Sequence, residues 1–187
     1  MKKKYFCFID NLNDSIIKNI KKFNNLSIIY RSKDNLINEK NIQILNNFCK
    51  KNKIQFYINN NFRLAHKYKT TGVFLTSANK KLGNLSVNKK LKIIGSAHNQ
   101  FEYYIKTMQG CETIMLSPLF YNKKYSLNKI LGICRFNLIS NNWKKKICAL
   151  GGLNNNNLKK LRIINGNAAA FISLIENSLI KKKPPYI

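Results

Sequence analysis

The chain has 187 residues, of which 44% are apolar, 11% aromatic and 22% charged. This length fits one domain comfortably, and the composition excludes a disordered, collagen-like or disulfide-scaffold protein. The 34 Lys and Arg against 7 Asp and Glu give a net charge of +27. Such an excess suits a polyanionic partner, whether nucleic acid, an anionic membrane or a phosphorylated substrate, but it does not choose among them, and a solvated lysine-rich surface is the favoured interpretation.

Short runs of β-branched and aromatic residues recur along the chain, with helix-length segments between them. Several of these runs are apolar at consecutive positions, which is typical of parallel strands buried on both faces. We therefore predict strands over 4–9, 26–31, 54–58, 72–75, 91–95, 112–117, 146–150 and 168–173.

Helical periodicity marks three of the intervening segments. Each is expected to bury one apolar face: Ile42, Ile44, Leu45 and Phe48 in 39–52, Phe101, Tyr104, Ile105 and Met108 in 99–109, and Leu158, Leu161 and Ile164 in 155–164. The 80–88 link is predicted to be a turn or a single helical turn.

Strands and helices that alternate in this way indicate an α/β fold, a short version of the (β/α)8 TIM barrel. We expect a single domain over residues 1–187, with about 181–187 as a flexible basic tail. A doubly wound open sheet is the alternative fold.

In a barrel of this type, the active-site residues lie at the carboxyl ends of the strands. Arg31 and Lys33 follow the second strand as two cations able to hold phosphate oxygens, although both could equally be surface charges. The pair Gly151-Gly152 follows the seventh strand, where a backbone without Cβ atoms can approach a phosphate, although glycines also end strands for steric reasons. The fifth strand ends in Ser96-Ala97-His98, and an isolated histidine is more often structural than a base.

Eight segments between Tyr5 and Ser173 match, in order, the motifs of one family. They are Tyr5-Phe6-Cys7-Phe8-Ile9-Asp10, Ile29-Tyr30-Arg31-Ser32-Lys33, Ile58-Asn59-Asn60 with Leu64-Ala65, the run GVFLTSAN from Gly72, Ser96-Ala97-His98, Ser117-Pro118-Leu119-Phe120, the run ALGGL from Ala149, and Ala170-Phe171-Ile172-Ser173. Through these segments the chain resembles the thiamine-phosphate synthases and their TenI-type relatives over nearly its whole length.

The resemblance implies a substrate pair and a reaction. A phosphorylated pyrimidine, 4-amino-2-methyl-5-pyrimidinylmethyl diphosphate, joins a thiazole phosphate to give thiamine phosphate and diphosphate. The C–O bond breaks first, and the leaving charge is neutralised by cations and Mg²⁺. Catalytic roles then fall to Arg31, Lys33, Ser96 and Lys124, and substrate contacts to Ile29, Tyr30, Asn59, His98, Asn122, Gly151, Gly152, Ile172 and Ser173.

The sequence departs from the family motifs at positions that have metal-binding, substrate-binding or catalytic roles in the family. Asn60 and Asn79 stand where the family has its two Mg²⁺-binding aspartates, so any Mg²⁺ site is weakened by the loss of acidic ligands. Ile29 replaces a glutamine ahead of Arg31. The T-x-T-K segment has become Asn122-Lys123-Lys124-Tyr125, in which Lys124 can take over the position of the lysine.

Three functions remain open at this point. The first is an active, divergent synthase in which lysines take over part of the charge of the metal. The second is a TenI-type thiazole-phosphate tautomerase with His98 as its base, which Pro118 disfavours because the tautomerases have histidine there. The third is a barrel without catalytic activity that binds phosphorylated ligands or, less favoured, nucleic acid, since the lysines are scattered rather than gathered into one basic arm.

The five cysteines form no CxxC pair, and three of them lie in apolar runs, which indicates a reducing compartment. The first apolar run is too short for a secretory signal, and no run is long enough to span a membrane. We therefore expect a cytoplasmic protein without a membrane partner, and homo-oligomer formation stays open.

Overall fold

The computed structural model describes residues 3–32, 34, 36–82, 90–122, 125–172 and 174–175. Eight parallel strands form a closed barrel in sequence order, because β8 pairs with β1 as well as with β7. The strands are β1 (Lys4–Ile9), β2 (Leu26–Tyr30), β3 (Gln55–Asn59), β4 (Gly72–Leu75), β5 (Lys92–Ala97), β6 (Thr113–Leu116), β7 (Lys146–Leu150) and β8 (Ala168–Phe171).

The helices cover the outside of the barrel. They are α1 (Asp14–Ile20), α2 (Glu39–Lys51), α3 (Phe62–Lys67), α4 (Gln100–Met108) and α5 (Gly132–Asn142), with 3₁₀ segments at Leu127–Lys129 and Leu158–Ile163. Four of them are preceded by an N-cap asparagine, Asn13, Asn38, Asn61 or Asn99, whose side chain accepts a backbone N–H of the first turn.

Two layers of apolar side chains make up the core. The first fills the barrel with alternate residues of the strands, from Phe6 and Phe8 of β1 to Ala168 and Ala170 of β8. The second lies between the strands and the helices and is larger. Small alanines of β8 leave room inside the barrel for the aromatic side chains of β1, so the interior is packed rather than open.

The predicted barrel is confirmed, and the open sheet is wrong because β1 and β8 are paired. The eight predicted strands are all present, with ends that shift by at most two residues, and the last of these, 168–173, ends at Phe171 among the described residues. The 155–164 segment forms a 3₁₀ helix that buries Leu158, Leu161 and Ile164 as expected. The 80–88 link lies partly, and the 181–187 tail wholly, outside the described residues.

Two helix faces differ from the prediction. In α2, Ile44 is 54% exposed, and Cys49 joins Ile42 and Leu45 in the buried face. In α4 the predicted apolar face points outward: Phe101, Tyr104 and Met108 are 60%, 60% and 48% exposed. We call these three side chains the outer α4 stripe.

The buried side of α4 carries Tyr103, Lys106 and Gln109 instead. Tyr103 stacks on Trp143 with ring centroids 4.0 Å apart, while Lys106 and Gln109 serve polar contacts described below. The apolar residues of α4 do lie on one face of the helix as predicted, but this face is exposed to solvent and the opposite face is buried. None of the described helices is both long and apolar enough to cross a membrane.

Candidate active site at the carboxyl ends of the strands

A cavity of about 420 Å³ opens at the carboxyl ends of the strands. Its floor is apolar, with Phe8 and Phe74 in edge-to-face contact at 5.1 Å between centroids, beside Leu150 and Ala170. Its walls are polar, and among the described residues that line it there is one permanent cation, Arg31, and no carboxylate. A bound anion would therefore not be repelled by a negatively charged side chain of this lining.

The turn after β7 forms one wall. Gly151 and Gly152 have φ angles of +95° and +68°, and a Cβ on Gly152 would lie 2.3 Å from the carbonyl oxygen of Phe120. Only glycine fits this crowded, left-handed backbone. The N–H of Phe120 donates to the carbonyl of Gly151 at 3.1 Å, and Asn157 donates to the carbonyl of Gly152 at 2.7 Å. The turn is thus held rigidly, in the place where barrels commonly bind phosphate.

Arg31 and Ser96 contribute to the cavity from other strands. The backbone N–H of Arg31 donates to the carbonyl of Ile9 at 3.1 Å, which fixes the exit of β2 against β1. The hydroxyl of Ser96 is buried and accepts the N–H of Ser77 at 3.0 Å, so its own proton stays available to a ligand.

His98 is the side chain with the most defined partners in the cavity. Glu102 accepts both the backbone N–H of His98 at 2.6 Å and the Nδ1–H at 2.9 Å. The opposite ring nitrogen, Nε2, lies 3.0 Å from the hydroxyl of Tyr125. Because a carboxylate can only accept, the neutral ring carries its proton on Nδ1 and receives the Tyr125 hydroxyl at Nε2.

Sequence reasoning missed Glu102 and Tyr125 as members of the site. A signal for Glu102 existed, since it follows His98 by four residues at the start of α4, where Asn99 caps the helix and accepts the Glu102 N–H at 2.9 Å. Tyr125 had no such signal, because its contact with His98 spans 27 positions of the sequence.

Asn60 and Asn79, the two predicted metal positions, do come together. The Asn60 side-chain oxygen accepts the Asn79 amide at 3.2 Å and the backbone N–H of Thr76 at 3.1 Å. The Asn60 amide in turn donates to the Thr76 hydroxyl at 3.0 Å. Asn60 has a φ of +49°, a left-handed conformation that asparagine tolerates better than most residues.

This arrangement does not fit Mg²⁺. Both lone pairs of the Asn60 oxygen are used within the cluster, and neither residue brings the negative charge that Mg²⁺ prefers in its ligands. No group of three or more His, Cys, Asp or Glu side chains that could hold a metal ion occurs in the part of the chain that the structure describes.

The loop that carries Asn79 is fixed from behind by α4. Lys106 donates to the Asn79 carbonyl at 2.6 Å and to the Gln109 side chain at 2.7 Å, while Gln109 donates to the carbonyls of Asn79 and Lys81 at 3.0 Å each. Lys106 is fully buried, and this desolvation lowers the pKa of its ammonium group.

The remaining predicted residues divide into three groups. Asn122 and Ile172 line the cavity. Ile29 does not, because it is completely buried inside the barrel. Tyr30 is also buried, and its hydroxyl accepts the N–H of Asn38 at 3.0 Å. Lys33, Lys124 and Ser173 lie outside the described residues.

Asn59 borders a second cavity of about 260 Å³ beside β2 and β3, together with Tyr30 and Asn60. The side-chain oxygen of Asn59 is buried and has no hydrogen-bond partner among the described residues. A buried acceptor of this kind favours a ligand that brings a donor.

Comparison with known proteins gives a consistent picture. Residues 12–175 match the sequence model of a family described as thiamine monophosphate synthase. A thiamine-phosphate synthase of Flavobacterium johnsoniae is 31% identical over 160 residues, which are 80% of this chain and 73% of that protein. One of Prochlorococcus marinus is 29% identical over 151 residues, which are 76% of this chain but only 41% of that longer protein.

Solved structures agree on the fold. The thiamine phosphate pyrophosphorylase of Pyrococcus furiosus superposes with a TM-score of 0.74 at 15% identity, covering 91% of this chain and 85% of that one. The corresponding protein of Bacteroides thetaiotaomicron gives a TM-score of 0.61 at 13% identity, covering 91% and 83%. At these identities the likeness establishes the barrel and nothing finer.

Proposed function

The chain belongs to the thiamine monophosphate synthase family, and we propose that it joins an aminopyrimidinylmethyl diphosphate to a thiazole phosphate. The observation that carries the proposal is the pairing of Arg31 with the Gly151-Gly152 turn in one cavity. Arg31 follows β2 and the turn follows β7, three strands apart around the barrel, so two anionic groups can be held separately above one apolar floor.

The proposed reaction moves electrons but needs no proton transfer. The C–O bond between the pyrimidinylmethyl group and the diphosphate breaks, and the electron pair leaves with the diphosphate. The thiazole nitrogen then donates its lone pair to the resulting pyrimidinylmethyl cation, forming the C–N bond of thiamine phosphate. The protein must therefore neutralise the leaving group, hold the second substrate in line and keep water from the cation.

Individual residues fit these tasks. Arg31 neutralises part of the charge of the leaving diphosphate, the Ser96 hydroxyl donates a hydrogen bond to it, and the backbone of Gly151 and Gly152 holds the thiazole phosphate. The aromatic floor of Phe8 and Phe74 excludes water, and the face of an aromatic ring stabilises a passing cation. In the neighbouring cavity, the side-chain oxygen of Asn59, which has no hydrogen-bond partner within the described part of the chain, suits the exocyclic amine of an aminopyrimidine.

A tautomerase acting on the thiazole phosphate is the second candidate. The contact that favours it is Glu102 to Nδ1 of His98, which makes Nε2 the basic nitrogen of the ring. Nε2 accepts the Tyr125 hydroxyl at 3.0 Å, and Tyr125 lines the cavity, so this hydroxyl would relay a proton from the substrate to His98. Both candidates bind phosphate and need no nucleic-acid partner. We also propose a cytoplasmic location, which is supported by the absence of any disulfide among the five cysteines, all of which lie in described parts of the chain.

The test is product formation by the full chain with each substrate alone and with both together. Thiamine phosphate formed from the pair, and lost in Arg31→Ala but kept in Arg135→Ala, is the expected result. Arg135 is the matched control because it is exposed on α5 and does not line the cavity. Turnover of the thiazole phosphate alone would indicate the tautomerase, and binding without any turnover would contradict both enzymes.

A further inference from the structure

We propose that Asn60, Thr76 and Asn79 form a diphosphate contact site that works without a metal ion. The inference rests on the proposed function, because the diphosphate is the leaving group of that reaction. We call these three residues the amide cluster. It lies at the ends of β3 and β4, and Thr76 also lines the main cavity, so the cluster is continuous with the place where Arg31 acts.

The hydrogen bonds of the amide cluster occupy most of its acceptor positions. The Asn60 oxygen accepts from Asn79 and from the N–H of Thr76, and the Asn79 oxygen accepts the N–H of Lys81 at 3.2 Å. The Thr76 hydroxyl accepts from Asn60 at 3.0 Å. Each of these hydrogen bonds occupies one acceptor position. The two bonds donated by the side-chain amides of Asn60 and Asn79 each use one of that amide's two N–H groups.

The donors that remain point to an anion. Each primary amide has a second N–H beyond the bond described, and the Thr76 hydroxyl keeps its proton because it accepts from Asn60. Ser96 adds another hydroxyl proton in the same cavity, since its oxygen already accepts the N–H of Ser77. A set that keeps more donors than acceptors matches phosphate oxygens, whereas a divalent cation needs oxygen lone pairs.

Charge supports the same conclusion. Two aspartates beside a diphosphate would repel it, and a divalent cation would be needed to bridge them; two asparagines remove the repulsion and with it that need. The buried ammonium of Lys106 lies directly behind the cluster, on the carbonyl of Asn79, and supplies positive charge from within the protein. Gln109 holds the same carbonyl, so the loop is fixed before any ligand binds.

The experiment measures binding of inorganic diphosphate to the full chain by isothermal titration calorimetry, with EDTA and with millimolar Mg²⁺. We expect the same dissociation constant in both buffers, within about twofold. In the double variant Asn60→Asp/Asn79→Asp, binding in EDTA should weaken by about tenfold or more, and Mg²⁺ should restore it. The variant should also bind Mg²⁺ alone, which the natural chain should not.

The control Asn24→Asp/Asn47→Asp adds the same two charges at exposed positions outside the cavity and should leave both titrations unchanged. Diphosphate binding that requires Mg²⁺ in the natural chain would overturn this inference while leaving the synthase proposal intact. Failure to bind diphosphate in either buffer would contradict the proposed function itself.

Discussion

Replacement of Gly152 by alanine should damage both stability and phosphate binding, and the structure provides its own control. Gly110 has nearly the same φ, +73° against +68°, but a Cβ there meets nothing within 4 Å. Gly110→Ala therefore carries only the left-handed strain of about 1–2 kcal/mol, partly offset by the lower entropy of the unfolded chain, roughly 0.4–1 kcal/mol. A net loss of about 1 kcal/mol in the free energy of unfolding is expected.

Gly152→Ala adds a steric conflict to that strain. The new Cβ would lie 2.3 Å from the Phe120 carbonyl oxygen and 2.6 Å from that of Tyr121. The backbone of these two residues, in the loop that follows β6, therefore has to move. Overpacking of this kind costs about 1–3 kcal/mol, which brings the expected loss to roughly 2–4 kcal/mol. The same movement displaces the turn that holds the thiazole phosphate, so its affinity should fall by about tenfold or more.

Urea unfolding of both variants measures the stability difference, and calorimetry with thiazole phosphate measures the binding difference. The reasoning would be refuted if Gly152→Ala lost no more stability than Gly110→Ala, within about 0.5 kcal/mol, and bound thiazole phosphate as well as the natural chain does. Lost stability with intact binding would separate the two claims, because the turn would then be structural only.

Three further predictions concern single side chains. Arg31→Ala should weaken inorganic diphosphate binding by roughly 10- to 100-fold in calorimetry, since a hydrogen bond to a charged group contributes about 1.5–3 kcal/mol; unchanged affinity would remove Arg31 from the site. Glu102→Leu should shift the neutral His98 ring from the Nδ1–H toward the Nε2–H form in ¹⁵N NMR, with His66→Gln used for assignment, and a tautomer ratio like that of the natural chain would contradict the assigned contact. Burial lowers the pKa of Lys106, so the folded chain binds fewer protons than the unfolded one, and the natural chain should gain stability relative to Lys106→Met as the pH rises from neutral toward 10.5. Melting temperatures at several pH values test this, and a difference independent of pH would show that Lys106 acts through packing alone.

The strands could be predicted from the sequence because each is buried on both faces. β2 and β7, for example, are apolar at nearly every position, and such runs between turn residues have few other interpretations. The Gly151-Gly152 turn was also readable, since two glycines at a strand end indicate an unusual backbone. Contacts between residues far apart in the sequence could not be predicted. The contact of Tyr125 with His98, for example, depends on the conformation of the loop that follows β6.

The direction of α4 shows why a hydrophobic period does not settle which face is buried. Turning the helix to bury the outer α4 stripe would recover roughly half of the 1.5–3 kcal/mol that each fully buried side chain contributes, or about 2–5 kcal/mol in all. It would also withdraw Lys106 and Gln109 from the carbonyls of Asn79 and Lys81, and each buried polar group left unsatisfied costs about 1–3 kcal/mol. The two carbonyls left without donors would cost roughly 2–6 kcal/mol together, which is comparable to the gain. The stack of Tyr103 on Trp143 and the bond from His98 to Glu102, which belong to the observed orientation, therefore decide the outcome. The orientation of α4 is therefore set by contacts with the loops that follow β4 and β5 and with Trp143 at the end of α5, and the hydrophobic period of the helix does not reveal these contacts.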